Sequence, residues 1–177
     1  GGLYLPHLRA AVWHHLAIAE QHLRAGEDLA WEVRDLDGDG YDEIWVHSAD
    51  CSVVIAPARG GAVEDLTLFS TLTNHAATLT RRHEAYHELG AHRPPEPASD
   101  DEGVQSLYHL EHAHHGDGRP PLDRDERALF VDRVLPADLR LERYASGDYM
   151  AVASWSRVRM PWSASREGDE VVVRLEG

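Results

Sequence analysis

The residues best suited to do chemistry lie in an acidic loop at residues 35–43, where aspartates stand at alternate positions. A tight loop with this spacing brings its carboxylates to one point, and Gly40 permits the sharp turn. The predicted ligands are the carboxylates of Asp35, Asp37, Asp39 and Glu43 and the backbone carbonyl of Tyr41. Because Ca²⁺ prefers such oxygen ligands, we predict a calcium site between two strands. The alternative is an ordinary acidic β-turn, since Asp-Gly pairs are common in hairpins.

Two other polar groups are less specific. The first is a group of four histidines, His109, His112, His114 and His115. A zinc site needs a tetrahedral set of ligands, which this spacing does not imply, so we favour histidines on a solvated loop over a zinc site. The second is the segment 74–87, where Arg81, Glu84 and His87 could form an ion-pair network. Such networks are more often structural than catalytic.

Composition excludes several classes of function. The net charge of −14 opposes binding to nucleic acid and to anionic membranes, because both partners would be repelled. No stretch is long and apolar enough to cross a bilayer, and no signal peptide is recognisable. Cys51 is the single cysteine, so no internal disulfide can form. We therefore expect a cytoplasmic protein.

The elements that must position these residues are one helix and a series of strands. Pro6 suits the first turn of a helix, and apolar residues then recur at helical spacing up to Gly26: Leu8, Val12, Leu16, Ala19 and Leu23. Beyond residue 28 the chain has short apolar or alternating runs separated by turn residues, which predicts a β-sandwich or barrel. The predicted strands are residues 30–34, 44–47, 52–56, 62–68, 128–134, 139–144, 149–155 and 170–175. The helix stripe requires something to pack on.

Several short motifs, taken in order, resemble the C-terminal part of glycoside hydrolase family 57, in its α-amylase/4-α-glucanotransferase branch. Residues 1–9 resemble a segment of the family's helical domain, and residues 31–44 resemble the start of its β-domain. A Pro/Gly-Gly/Glu motif at residues 57–64 and an Asn…Arg-Arg…Tyr-His motif at residues 74–87 follow in the same order. Residues 106–130 contain a weaker match.

The resemblance implies a mainly β fold. It predicts an incomplete β-sandwich, of the galactose-mutarotase-like supersandwich type, preceded by an N-terminal α-helix. Residues 1–27 would be the terminal helix of a preceding helical domain, and residues 28–177 part of the C-terminal sandwich. Family members carry a glutamate nucleophile and an aspartate acid/base in an N-terminal barrel, the pair that retaining glycosidases use. We expect no catalytic residues in this chain and a sequence cut at both ends.

The resulting prediction is a noncatalytic C-terminal β-domain of an α-glucan-acting retaining hydrolase or glucanotransferase. It would support the catalytic and helical domains of the parent enzyme and contact α-glucan. The expected glucan contacts are Trp31, Trp162, Asn74, Arg81, Glu84 and His87. One alternative is an independent mutarotase-type sugar epimerase that uses His83, Glu84 and His87 as acid and base. The other is a calcium-stabilised structural subunit that pairs with a separately encoded catalytic chain.

Overall fold

The computed structural model describes residues 5–83 and 122–176. Within these ranges the chain is mainly β, as predicted. The elements in chain order are α1 (Pro6–Leu23), β1 (Ala30–Arg34), β2 (Glu43–His47), β3 (Cys51–Ala56), β4 (Ala62–Leu68), β5 (Thr73–Asn74), β6 (Arg133–Val134), α2 (Leu141–Ala145), β7 (Ala153–Ser154), β8 (Trp162–Glu167) and β9 (Glu170–Leu175). Neither α1 nor α2 has the length and hydropathy that a membrane span requires.

The first half of the fold is a five-stranded antiparallel sheet in which β1 to β5 lie in chain order. Short turns between apolar runs favour this meander, because antiparallel neighbours need only tight connections. Trp45 of β2 lies opposite Val54 of β3, and its indole nitrogen donates to the Ser52 hydroxyl at 2.8 Å. The most deeply buried apolar residues of these strands include Ile44 and Ala62. Ile44 lies opposite Ile55, whereas Ala62 lies opposite the next residue, Ala56, so buried residues lie on both faces of the sheet's centre.

The second half consists of smaller pieces. In the described residues β6 pairs with β7 and β8 with β9, as two antiparallel ribbons. An isolated bridge joins Val63 to Leu129 and connects this half to the large sheet. The predicted strands at residues 128–134 and 149–155 shorten to β6 and β7, while β5 and β8 lie outside the predicted runs. The sandwich arrangement stays a prediction.

The predicted strand at residues 139–144 is wrong, because α2 occupies most of it. Its sequence, Leu-Glu-Arg-Tyr-Ala, consists mainly of good helix formers, and Gly147 follows with a φ of +72°. The alternation of apolar and polar residues in so short a run does not distinguish a strand from a helical turn.

Helix α1 packs beside β5, but not through its apolar stripe. Leu8, Val12 and Leu16 are between 42% and 52% exposed. The side that meets the sheet carries the buried Ala17, and also Gln21, whose side-chain amide donates to the carbonyl of Phe69 at 3.2 Å. The helix was predicted correctly, and its main apolar face points away from the sheet.

A cluster around Arg24 attaches the end of α1 to the sheet. The Arg24 guanidinium lies 4.4 Å from the centroid of the Trp45 ring and donates to Nε2 of the buried His47 at 3.3 Å. It also donates to the Glu27 carboxylate at 3.0 Å and lies 3.8 Å from that of Glu32. One cation thus joins the helix end, the following loop, β1 and β2.

Candidate functional site

The acidic loop connects β1 to β2 and is folded by its own aspartates. Asp35 accepts hydrogen bonds from the backbone N–H groups of Gly38 at 2.8 Å and Gly40 at 3.1 Å. Both glycines have positive φ, +78° and +90°, which a residue with a Cβ rarely adopts. Asp37 and Asp39 each accept from the N–H two residues later, as aspartates do in turns.

This folding brings three predicted ligands together. Asp35, Asp37 and Asp39 are exposed, and each offers a carboxylate oxygen within 4.8 Å of the others. Three hard oxygen ligands at this separation can hold a divalent cation, with backbone carbonyls and water supplying the remaining positions.

Glu43, the fourth predicted carboxylate ligand, lies at the start of β2 outside this group of three. It is almost completely buried, and its Oε2 accepts a hydrogen bond from the backbone N–H of Leu36 at 2.8 Å. Burial is the largest cause that raises the pKa of Glu43, and the Leu36 hydrogen bond opposes it. The charges of the three loop aspartates raise this pKa further. Through this hydrogen bond, Glu43 holds the backbone at Leu36, near the start of the loop, in place.

The negative potential of the loop extends to Glu64 of β4. Burial raises the pKa of the Glu64 carboxyl most strongly, the Arg59 guanidinium lowers it, and the charges of Glu43 and the loop raise it again. Arg59 contacts both Glu64 and Glu126, and Arg82 contacts Glu126 as well. This chain of ion pairs links the loop side of the sheet to the segment that begins at residue 122.

An open cavity of about 410 Å³ lies beside the loop. Tyr41 lines it, with the guanidinium of Arg159 5.0 Å from the centroid of its ring. Arg157 lines it as well and pairs with Asp125 at 3.2 Å. No sequence motif predicts this cavity, because its walls come from distant parts of the chain. Of its lining residues, Asp39 and Tyr41 were predicted only as calcium ligands.

The predicted glucan contacts within the described residues lie in different parts of the fold. Trp31 is half-buried on β1, opposite Val46, whereas Trp162 is exposed at the start of β8. Arg81 is half-buried, and its backbone N–H donates to Asp123 at 2.8 Å.

Asn74 serves the fold. Its side chain donates to Asp65 at 2.9 Å and accepts from the backbone N–H groups of Ala76 at 2.8 Å and Leu66 at 3.3 Å. Glu84, His87 and the histidines at 109–115 lie outside the described residues, so the predicted network of Arg81, Glu84 and His87 stays a prediction.

The family model and similar proteins point to the same family. Residues 35–177 match the family described as alpha-amylase/4-alpha-glucanotransferase, C-terminal. A 4-alpha-glucanotransferase of Thermococcus kodakarensis is 34% identical over 157 residues, covering 88% of this chain and 23% of the relative. An alpha-amylase of Pyrococcus abyssi is 34% identical over 155 residues, covering 84% of this chain and 22% of the relative. This chain therefore spans less than a quarter of the length of these relatives.

The fold has a counterpart among solved structures. The crystal structure of a 4-alpha-glucanotransferase from Thermococcus litoralis aligns with a TM-score of 0.68 over 92% of this chain, which is 22% of that chain. The two sequences are 24% identical over this alignment, so the likeness is one of fold.

Proposed function

Since this chain belongs to the C-terminal domain family of α-amylases and 4-α-glucanotransferases, we propose that it is a noncatalytic domain of an α-glucan-acting retaining enzyme. Its role is to support the catalytic and helical domains of the parent enzyme and to contact glucan. In this proposal, residues 1–27 end the helical domain and residues 28–177 belong to the β-domain. The enzyme acts in the cytoplasm, which suits a chain with one cysteine.

The observation that carries the supporting role is the exposed stripe of α1. Leu8, Val12 and Leu16 follow at i, i+4 and i+8 and form one apolar line along the helix. The opposite side of α1 already packs on the sheet, so the helix has two contact faces. A helix of this kind joins two bodies, and we assign the free face to the helical domain of the parent enzyme.

The acidic loop is proposed as a calcium site that stabilises the domain. The geometry of the three exposed carboxylates supports this, as does the absence of a guanidinium paired with any of them in the described ion pairs. Bound Ca²⁺ would offset the mutual repulsion of the loop carboxylates. The ligands are Asp35, Asp37 and Asp39, with the Tyr41 carbonyl, and Glu43 acts as a further ligand or holds the loop through Leu36.

A domain exchange tests the supporting role. The matched C-terminal segment of the Thermococcus kodakarensis 4-alpha-glucanotransferase is replaced by this chain, and transfer between maltooligosaccharides is measured. We expect transfer activity from the chimera and no release of reducing sugar by the chain alone. Val12→Ser with Leu16→Ser should reduce the chimera's activity and melting temperature, whereas Arg34→Ser, exposed on β1, should change neither.

Two results would contradict the proposal. Hydrolysis or transfer by the 177-residue chain alone would show that it is catalytic. Faster mutarotation of glucose in a polarimeter would favour an independent sugar epimerase.

A further inference from the structure

A cleft lined by two tyrosines lies in the second half of the fold, and residues 123–126 line both this cleft and the cavity beside the acidic loop. We call it the tyrosine cleft; its volume is about 660 Å³, and its principal lining residues are Tyr144, Tyr149, Phe130, Arg124, Asp123 and Arg133. Arg81, which also lines the cleft, was among the glucan contacts predicted from the sequence, whereas the six residues named here were not.

The two tyrosines form a stacked pair. Their ring centroids are 5.3 Å apart, with 23° between the ring planes. Tyr144 stands in α2, and Tyr149 follows the turn at Gly147, whose backbone N–H donates to the Tyr144 carbonyl at 3.1 Å. The Arg124 guanidinium donates to the Tyr149 carbonyl and lies 5.7 Å from the centroid of its ring. Tyr149 is thereby held in place, while Tyr144 keeps 49% of its surface exposed.

Phe130 supplies a third aromatic ring, and its backbone conformation is unusual. Its φ is +59°, a region that bulky residues rarely occupy, and it is 72% exposed. The preceding residue, Leu129, is fixed by two backbone hydrogen bonds to Val63, at 2.9 and 3.0 Å. Burial does not compensate this backbone strain, since the ring stands largely in solvent beside the cleft.

The polar groups of the cleft are paired and nearly balanced in charge. Asp123 accepts from Arg127 at 2.8 Å, and Asp125 accepts from Arg133 at 2.9 Å. Burial raises the pKa of Asp123, but the hydrogen bonds from Arg127 and from the Arg81 backbone outweigh it, so this carboxyl stays ionised. Arg124 contacts the Tyr149 carbonyl and ring and forms none of the ion pairs of the described residues, so the cleft carries at most a small excess of positive charge.

A neutral sugar fits both properties of the cleft. The C–H face of a glucose ring is apolar and packs on an aromatic ring, as Tyr144 and Phe130 offer. Its hydroxyls each donate and accept hydrogen bonds, so they can bind the free edges of paired carboxylates and guanidinium groups. We propose that the tyrosine cleft binds consecutive glucosyl units of an α-glucan, a site that rests on the glucan contact in the proposed function.

Affinity electrophoresis of the 177-residue chain in gels with soluble amylose tests this site. We expect Tyr144→Ala and Phe130→Gly each to weaken amylose binding by about tenfold, the effect of losing one stacked ring. Phe130→Gly also relieves the backbone strain, so its loss of binding cannot be ascribed to unfolding. Tyr144→Phe keeps the ring and should bind as the unaltered chain does.

Met150→Ala is the matched control, because Met150 is 81% exposed beside Tyr149 and does not line the cleft. It should leave amylose binding unchanged. If Tyr144→Ala and Phe130→Gly both bind amylose normally and Trp162→Ala does not, the cleft is not the glucan site. The proposed contact with glucan would then still hold, at a different surface. No retardation of the unaltered chain would overturn the glucan contact itself, and equal retardation by anionic polygalacturonate would overturn the preference for a neutral sugar.

Discussion

Gly60 lies directly against the backbone of Trp155, so that a Cβ on Gly60 would collide with the Trp155 carbonyl oxygen. The Gly60 N–H donates to the Val158 carbonyl at 2.8 Å, and its φ is +72°. A Cβ on the neighbouring Gly61 would come within 2.6 Å of Cδ1 of Leu175. The Gly-Gly pair is thus a point where the large sheet meets the second half of the fold.

The first prediction concerns this contact. Gly60→Ala should lower the free energy of unfolding by at least about 3 kcal/mol, since the backbone is strained and Trp155 must move. Urea denaturation followed by tryptophan fluorescence measures it. Gly168→Ala is the control, because its φ is +65° and the space around it is open, so it should cost only about 1 kcal/mol. Equal losses in the two variants would contradict the collision.

The second prediction concerns the attachment of α1. Arg24→Met should lower the free energy of unfolding by about 2–3 kcal/mol, because it leaves Glu27, Glu32 and His47 without their shared cation. Arg34→Met removes an exposed partner of Glu32 and should cost less than about 1 kcal/mol. Urea titrations of both variants make the comparison. A loss with Arg34→Met as large as that with Arg24→Met would show that Arg24 has no special role.

The third prediction tests which face of α1 contacts the sheet. In the 177-residue chain, Leu16→Ser should change the free energy of unfolding by less than about 0.5 kcal/mol, since Leu16 is exposed. Ala17→Leu should cost about 1–3 kcal/mol, because Ala17 is buried and a larger side chain would have to displace its neighbours. Thermal unfolding followed by circular dichroism distinguishes the two. A larger loss with Leu16→Ser would reverse the assigned faces.

The fourth prediction is a pH dependence at Asp65. Burial raises the pKa of this carboxyl, while its hydrogen bond from the Thr67 hydroxyl at 2.7 Å opposes the shift. A raised pKa in the folded state means that the protonated form favours folding. Its contribution is therefore complete below the unfolded pKa and is lost as the pH rises through the folded pKa. As the pH rises from about 4, Asp65→Asn should gain stability relative to the unaltered chain until the Asp65 carboxyl of the folded state is ionised.

Urea titrations across this pH range measure the difference for Asp65→Asn. Asp169→Asn, on the exposed turn between β8 and β9, is the control and should keep a constant difference from the unaltered chain. A falling stability of Asp65→Asn relative to the unaltered chain would contradict the sign.

The fifth prediction concerns calcium. At about 100 times its dissociation constant, Ca²⁺ should raise the melting temperature of the chelator-treated chain by about 5–10 °C. Asp37→Asn should abolish most of this rise, because it removes one carboxylate from the group of three. Asp42→Asn lies outside the group and should keep the rise. No binding heat in isothermal titration, together with an unchanged melting temperature, would leave the loop as an acidic turn.

Local patterns in the sequence predicted the first half of the fold well. The runs that became β1 to β4 are short, apolar and bounded by turn residues, and their boundaries agree with the structure within one residue. The weaker second half was predicted less well. The residues of β8, Trp162–Glu167, are mostly polar and partly exposed, so they show little alternation of apolar and polar residues. The run that contains Tyr144 is compatible with a helical turn as well as with a strand.

The acidic loop, the helix and its stripe, the mainly β class and the family could all be predicted from the amino-acid sequence. Each depends on residues close together in the chain, or on an order of motifs that the relatives share. Three features are visible only in the folded chain: the stripe of α1 faces outward, Gly60 contacts Trp155, and Tyr144, Phe130 and Asp123 line one cleft. These are contacts between distant residues, and such contacts leave no periodicity in the sequence from which to predict them.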